Sequence, residues 1–283
     1  YAAVLGAAVI WGTTGTAASF APKGSAPLVV GAAGTGFGGL ILLAAGGPRS
    51  VAGIFDASKR LTFLAGVIAT AAYPLAFYTS MAYAGVAVGV TATIGFSPIA
   101  AALFERVFTG RKLSVRFVAA TCAAVAGVAV LGATGVDNRI SPEPRFVPGV
   151  VLGLAAGACY GAYTFAAARL IQAGRPSRQV MGSMFGAASV VLLGVVAVTG
   201  GALVSSARGV TVVAYLAVIP MGAGYLLFGR GLRGVPASVA TALSLLEPVV
   251  AAVIAEVVLH QRVVALGWAG IAVVALSIIW LGG

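Results

Sequence analysis

Residues 234–260 read GVPASVATALSLLEPVVAAVIAEVVLH. As a helix this run is about 40 Å long at 1.5 Å per residue, enough to cross a bilayer. Within its apolar part, 235–259, Glu247 falls at the middle, about 18 Å from either end. Pro248 follows, where a helix interior loses a backbone donor. An earlier run, 85–110, reads GVAVGVTATIGFSPIAAALFERVFTG. Both open on Gly-Val and pass through small and β-branched residues. Both then reach Ser97-Pro98 or Glu247-Pro248 and continue as an Ile/Val/Ala-rich helix. Each sets a Glu six residues ahead of an Arg: Glu105 before Arg111, and Glu256 before Arg262. The two runs read as copies of one element, and the remaining chain as a frame around the pair.

Composition sets the solvent. Of 283 residues, 60% are hydrophobic and 8% charged, and the mean hydropathy is +1.09. A water-soluble domain cannot hide that much apolar surface, so a multi-pass membrane protein is expected. Forty glycines suit membrane helices packed through small residues. Continuous rather than alternating apolar runs argue against a barrel. A net charge of +11 would suggest nucleic acid in a soluble protein, but membrane topology accounts for it here. Cys122 and Cys159 lie inside apolar runs and read as two buried, unpaired thiols. The chain opens inside an apolar run at Tyr1, so no signal peptide is expected, and a short native segment is expected ahead of it.

Ten apolar segments are long enough to span: 2–20, 27–47, 61–83, 86–108, 114–134, 147–170, 178–200, 209–229, 235–259 and 263–282. Gly/Pro signals separate them, as at Ala21-Pro22-Lys23-Gly24 and Gly174-Arg175-Pro176. The longest break, 135–146, is polar and holds two prolines. It reads as a linker between a five-helix repeat at 1–134 and a second at 147–283. With the N-terminus in the cytoplasm, the inner loops and their flanks hold Arg49, Lys59, Arg60, Arg106, Arg111, Lys112, Arg116, Arg169, Arg175, Arg178, Arg230 and Arg233. The outer loops hold only Lys23, Arg139, Arg145, Arg208 and Arg262. That bias obeys the positive-inside rule with both termini inside.

The halves resemble one another. Leu5-Gly6 and Trp11-Gly12 recur as Leu152-Gly153 and Tyr160-Gly161, and Gly85 to Pro98 recurs as Gly234 to Pro248 with one extra residue. Five is odd, so the second copy crosses in the opposite sense. An inverted repeat with a proline-broken polar helix in each half points to a transporter with a site near the midplane.

On these residues the chain resembles the drug/metabolite transporter superfamily, in its ten-helix EamA-type branch. Ser97-Pro98, Glu247-Pro248 and the closing GWAGIAVVALSIIWLGG carry the resemblance, which covers essentially the whole chain. Members usually carry a Gly-Glu pair at the ends of the fourth and ninth helices. Here those places read Gly110-Arg111 and His260-Gln261. The resemblance implies export of amino acids or related metabolites across a bacterial inner (plasma) membrane, and is strongest toward aromatic amino-acid exporters. Other members carry sugars, nucleotide sugars or drugs.

Glu247 has two readings: a ligand for a substrate ammonium or a coupling proton, or a hydrogen-bonded acid in helix packing. Pro98 and Pro248 read as hinges or as simple kinks. Trp11 lies mid-segment, away from the interface where Trp usually settles. With Tyr73, Phe77, Tyr78, Tyr83, Tyr160, Tyr163, Phe165, Tyr225 and Phe228 it reads as the wall of an aromatic cavity or as ordinary packing. Thr91, Thr93, Ser238, Thr241 and Ser244 line it or bond the preceding turn, and Ser97 stands as the repeat partner of Glu247. The candidate substrate-binding set is Trp11, Tyr78, Thr91, Ser97, Tyr163, Tyr225, Ser244 and Glu247, with the cavity formed mainly by segments 1, 3, 4, 6, 8 and 9. Glu105 and Glu256 read as helix-end residues beside basic neighbours, and His260 as a solvated loop residue.

The chain has no phosphate-binding loop and no Cys/His cluster, so neither an ATPase motor nor a metal or other cofactor is expected. An enzyme is not expected either. The reading is a secondary transporter working by alternating access on a small molecule. A multidrug or sugar-type carrier is the alternative, and a passive channel a more distant one.

Overall fold

The computed structural model describes residues 1–52, 59–134, 145–260 and 262–282. All ten expected spans are helices: α1 Ala2–Ser19, α2 Pro27–Gly46, α3 Arg60–Ala84, α4 Val86–Thr109, α5 Val115–Ala133, α6 Phe146–Gln172, α7 Ser177–Thr199, α8 Ala207–Gly231, α9 Ala237–Leu259 and α10 Ala265–Gly282. Apart from Arg145 and Phe146, the 135–146 linker lies outside the described residues. Local chemistry places the ends. Pro27 opens α2 where no N–H is needed. Ser114 and Ser206 cap α5 and α8, accepting from Phe117 N at 3.1 Å and Gly209 N at 3.0 Å. Gly110 stops α4 in the left-handed conformation.

Contacts between helix ends give the bundle two faces. At one end the Arg116 guanidinium donates to Trp280 O, Gln172 to Leu232 O, and Arg233 to Ser177 Oγ. At the other, Arg208 donates to Phe20 O and Arg145 lies over the Tyr83 ring. The first face, here the basic end, gathers all the basic residues expected in inner loops.

The repeat is visible in packing. A Cβ on Gly161 of α6 would stand 2.7 Å from Ala101 N of α4, and one on Gly12 of α1 would stand 3.1 Å from Ala251 N of α9. Those contacts are equivalent, because Ala101 lies three residues past Pro98 and Ala251 three past Pro248. Each glycine lets two backbones meet. Gly161→Ala should therefore push α6 off α4 and lower stability by about 1–3 kcal/mol, read as a lower Tm in detergent.

The copies differ in their breaks. Both mid-helix prolines were expected to act alike, and they do not. Pro98 leaves α4 continuous: the Ile94 carbonyl that it deprives of a partner accepts from Ser97 Oγ at 2.9 Å. In α9 the helix stops after Leu243 and restarts at Leu246, so Pro248 stands in a first turn, where its missing N–H costs little. Two further breaks carry no counterpart in the sequence reading. α1 is interrupted at Thr13, and α8 runs as a π-helix over Ala217–Gly224 around Pro220. Cys122 is exposed on the outer surface and Cys159 half-buried, both unpaired. The expected burial of Cys122 fails because a lipid-facing position is as apolar as an interior one.

Candidate functional site

The breaks converge on a central cavity. It is lined by Trp11 and Thr14 of α1, Thr35 of α2, and Tyr73, Pro74, Phe77 and Tyr78 of α3. Tyr160 of α6, Met221 and Tyr225 of α8, and Glu247 of α9 complete it. Its volume is about 50 Å³, room for a few waters. Interruptions of α1, α8 and α9 all lie at its wall, where irregular backbone inside a membrane is tolerated.

The aromatic wall is one connected cluster. The Trp11 ring lies 4.8 Å from Tyr225 and 5.1 Å from Phe228, while Tyr73 sits 5.6 Å from Tyr160. The Trp11 indole N–H donates to Pro220 O at 2.9 Å, a carbonyl inside the π-segment. Gly224 makes this possible, because a Cβ there would stand 2.6 Å from the indole nitrogen. Trp11→Phe keeps the ring contacts and strands that carbonyl, so a loss of about 1 kcal/mol is expected, measurable as a fall in Tm.

Behind the wall a second layer fixes the rings. Tyr160 OH donates to Ser244 Oγ at 2.8 Å, and Ser244, at the break of α9, donates onward to Thr241 O. The hydroxyls of Tyr163 and Tyr225 share a 2.9 Å hydrogen bond. In contrast, the Tyr73 and Tyr78 hydroxyls and the Glu247 carboxylate make no hydrogen bond or ion pair among the described residues. The cavity therefore presents a carboxylate and two phenols with free valences, on a wall of rings.

Of the expected set, Trp11, Tyr78, Tyr225 and Glu247 line this cavity. Tyr163 and Ser244 stand one layer behind. Thr91 and Ser97 are elsewhere: Thr91 packs against Gly132 of α5, and Ser97 is fully buried and spent on Ile94 O. Accordingly α4 does not contribute to the lining, and α2 does through Thr35. Thr14, Thr35 and Met221 were missed; a lone Thr or Met in an apolar run does not say which way it faces.

Glu105 has the basic neighbour expected of it, Arg111, but is buried and bound to a second helix as well. Glu105 is 5% exposed and receives Ser238 Oγ at 2.5 Å and Ser238 N at 3.3 Å. It caps the first turn of α9 and lies 3.9 Å from Arg111. Glu256, which like Glu105 stands six residues ahead of an arginine, has a buried Oε2 without a partner. His260 is exposed, as expected. Two larger recesses flank the centre. One, of about 610 Å³, lies at the basic end and includes Ser177, Arg178, Arg230 and Arg233. The other, of about 620 Å³, lies toward the opposite end between Thr13, Phe20, Arg208, Tyr215 and Ile254. No group of three or more His, Cys, Asp or Glu able to hold a metal exists among the described residues.

Comparison with known proteins agrees with this architecture. A family model described as the EamA-like transporter family matches residues 1–133 and again 147–283. The chain is 32% identical over 276 residues to the uncharacterized transporter YwfM of Bacillus subtilis (strain 168), covering 98% of this chain and 91% of that one. It also superposes on a solved crystal structure with a TM-score of 0.81 at 20% identity, over 98% of this chain and 94% of that one, a likeness of fold. The duplicated match and the ten membrane-spanning helices lead to one conclusion: the chain belongs to the EamA-like transporter family, within the drug/metabolite transporter superfamily, and is a multi-pass membrane transporter rather than an enzyme.

Proposed function

We propose that the protein exports amino acids with aromatic or apolar side chains, or closely related metabolites, across the bacterial inner membrane by alternating access. Both termini then face the cytoplasm, residues 1–134 and 147–283 move as the two halves, and the basic end is the cytoplasmic one. The carrying observation is Glu247: a carboxylate without a partner in the wall of an aromatic cavity at mid-membrane depth. A charge at that depth costs a few kcal/mol or more unless it faces a cavity or a counter-ion. A substrate ammonium supplies that counter-ion, and the Trp11, Tyr73, Phe77 and Tyr225 rings offer faces to a flat or apolar side chain. A proton taking the same place between transport strokes would couple export to the proton gradient.

Space supports a cycle with two ends. The central cavity holds only a few waters, so substrate passage requires the halves to part. Glu105 ties α4 to α9 at the basic end, while the recess near Phe20 and Tyr215 lies toward the other end. In this reading the basic end is the closed one. Arg230 and Arg233 stand in the recess outside it, suited to meet a substrate carboxylate on its way in.

The test is uptake of radiolabelled phenylalanine and leucine by proteoliposomes, with and without a pH gradient. Saturable uptake supports the reading, and acceleration by the gradient supports proton coupling. Uptake that stays linear with concentration would make the protein a channel. Displacement by drug cations or sugars, with no amino-acid flux, would assign it to the multidrug or sugar-type carriers.

A further inference from the structure

We propose that the protein carries a second ligand site, for a carboxylate with an apolar or aromatic body, in the recess of about 620 Å³ at the end opposite the basic one. The recess lies between two helical stripes of the same spacing: Thr13, Thr16, Ala17 and Phe20 on α1, and Arg208, Thr211, Val212 and Tyr215 on α8. Residues at i, i+3, i+4 and i+7 share one helix face, so each helix turns a single face to the recess. Ile254 of α9 completes it.

Two hydrogen bonds brace this slot, one at each end. Arg208 Nε donates to Phe20 O at 2.6 Å, and Tyr215 OH donates to Thr13 Oγ1 at 2.9 Å. Between the braces the stripes bring only Thr16, Ala17, Thr211 and Val212, side chains too short to fill the gap. The volume falls within the range of small-molecule sites. The inner end adjoins the central cavity, since Thr13 lines the slot and Thr14 the cavity. Ile254 likewise stands two helical turns beyond Glu247 on the same face of α9.

The lining decides the class of ligand. Thr13, Thr211 and Tyr215 spend their hydroxyl protons on Ile10 O, Ala207 O and Thr13 Oγ1. Charged recognition falls to Arg208, exposed at the mouth, whose terminal nitrogens have no partner among the described residues. No carboxylate among the described residues lines the recess. A guanidinium fixed through Nε offers its fork to a carboxylate. The remaining wall of Ala17, Val212 and Ile254, with the Phe20 and Tyr215 rings, suits an apolar or flat body. General preferences do not call for an arginine at this place. It stands in the first turn of α8, where a helix favours an acid, and the basic residues gather at the other end. That the slot receives the exported substrate as it passes the α1 break rests on the proposed function; the site itself does not.

The probe is phenylpropionate, which has a ring and a carboxylate and no ammonium for Glu247 to hold. Its binding to purified protein in detergent is measured by equilibrium dialysis, with protein-free micelles as the blank. Saturable binding is expected. The methyl ester of the probe, the same body without the charge, should bind the wild type about tenfold or more weakly, the worth of a charge-assisted hydrogen bond. Arg208→Gln should weaken binding of the acid by the same factor, and Phe20→Ala severalfold. No saturable binding, an ester that binds as well as the acid, or equal affinity in wild type and Arg208→Gln overturns the proposal. So does binding that responds to Glu247→Gln and not to Arg208→Gln, which would put the probe in the central cavity. Native mass spectrometry of protein extracted from vesicles of phosphatidylcholine and phosphatidylglycerol gives the last check. Phosphatidylglycerol retained by the wild type and lost from Arg208→Gln, with no probe bound, would give the recess to a lipid instead. Because the probe lacks an ammonium, failure here is distinct from failure of amino-acid export.

Discussion

Glu247→Gln should reduce transport by on the order of a hundredfold while leaving the protein folded, because an ionic hydrogen bond to a ligand is worth up to about 3 kcal/mol. Glutamine keeps the shape of the side chain and removes its charge. No residue in the structure depends on that carboxylate, since nothing among the described residues donates to it. The variant should therefore match or exceed the wild-type Tm, as replacing an uncompensated ion in a membrane interior relieves its cost. Initial rates in proteoliposomes, with Tm in the same detergent, provide the measurement. Wild-type rates in the variant would place the substrate's charge somewhere other than the α9 break. A substrate without an ammonium, carried uncoupled from protons, would be left as the reading.

Glu105→Ala should act on the equilibrium between the two ends. Removing the carboxylate strips the Ser238 hydroxyl and N–H of their acceptor at a buried site and cuts the tie between α4 and α9. The lost contacts amount to about 1–3 kcal/mol, which corresponds to a shift of roughly tenfold or more toward the form opened at the basic end. A cysteine at Thr241, one turn deeper than Ser238 and buried, reports it in a background lacking Cys122 and Cys159. Maleimide labelling from the basic side should speed up by that factor. Labelling that does not change would show the Glu105 contact to be a helix cap with no part in access. The variant Glu256→Ala should change labelling little, since the Glu256 oxygen has no partner to lose.

The spans were legible because length and apolarity suffice to find a membrane helix, and among the described residues the ten helices long and apolar enough to span match the ten expected. The repeat was legible too, in the recurrence of Trp11-Gly12 as Tyr160-Gly161, though the close helix contacts of the two glycines were not. Facing was not. Inside lipid the outer and inner surfaces of a helix are both apolar, so the periodicity that marks a buried face in water is nearly absent. That is why Cys122 was placed inside, and why Thr14, Thr35 and Met221 went unnoticed. Ser97 fails for a different reason. Reading the repeat as symmetric made it the partner of Glu247, but the proline beside it frees a carbonyl, and the hydroxyl is bound to that carbonyl instead. Glu247 itself was visible because a carboxylate at mid-span has few innocent explanations.

The π-segment at Ala217–Gly224 bears on how this chain may be aligned and edited. A π-turn is an α-helix holding one surplus residue. Deleting a single residue within 217–224 would let α8 close into regular winding with the stretch from Ala207 keeping its facing against Tyr225 and Phe228, whereas the same deletion in a regular helix would turn that stretch by about 100°. A one-residue gap at this place in a homologue therefore marks the loss of the widened turn that presents Pro220 O to Trp11, a change in the cavity wall with the rest of α8 still in phase.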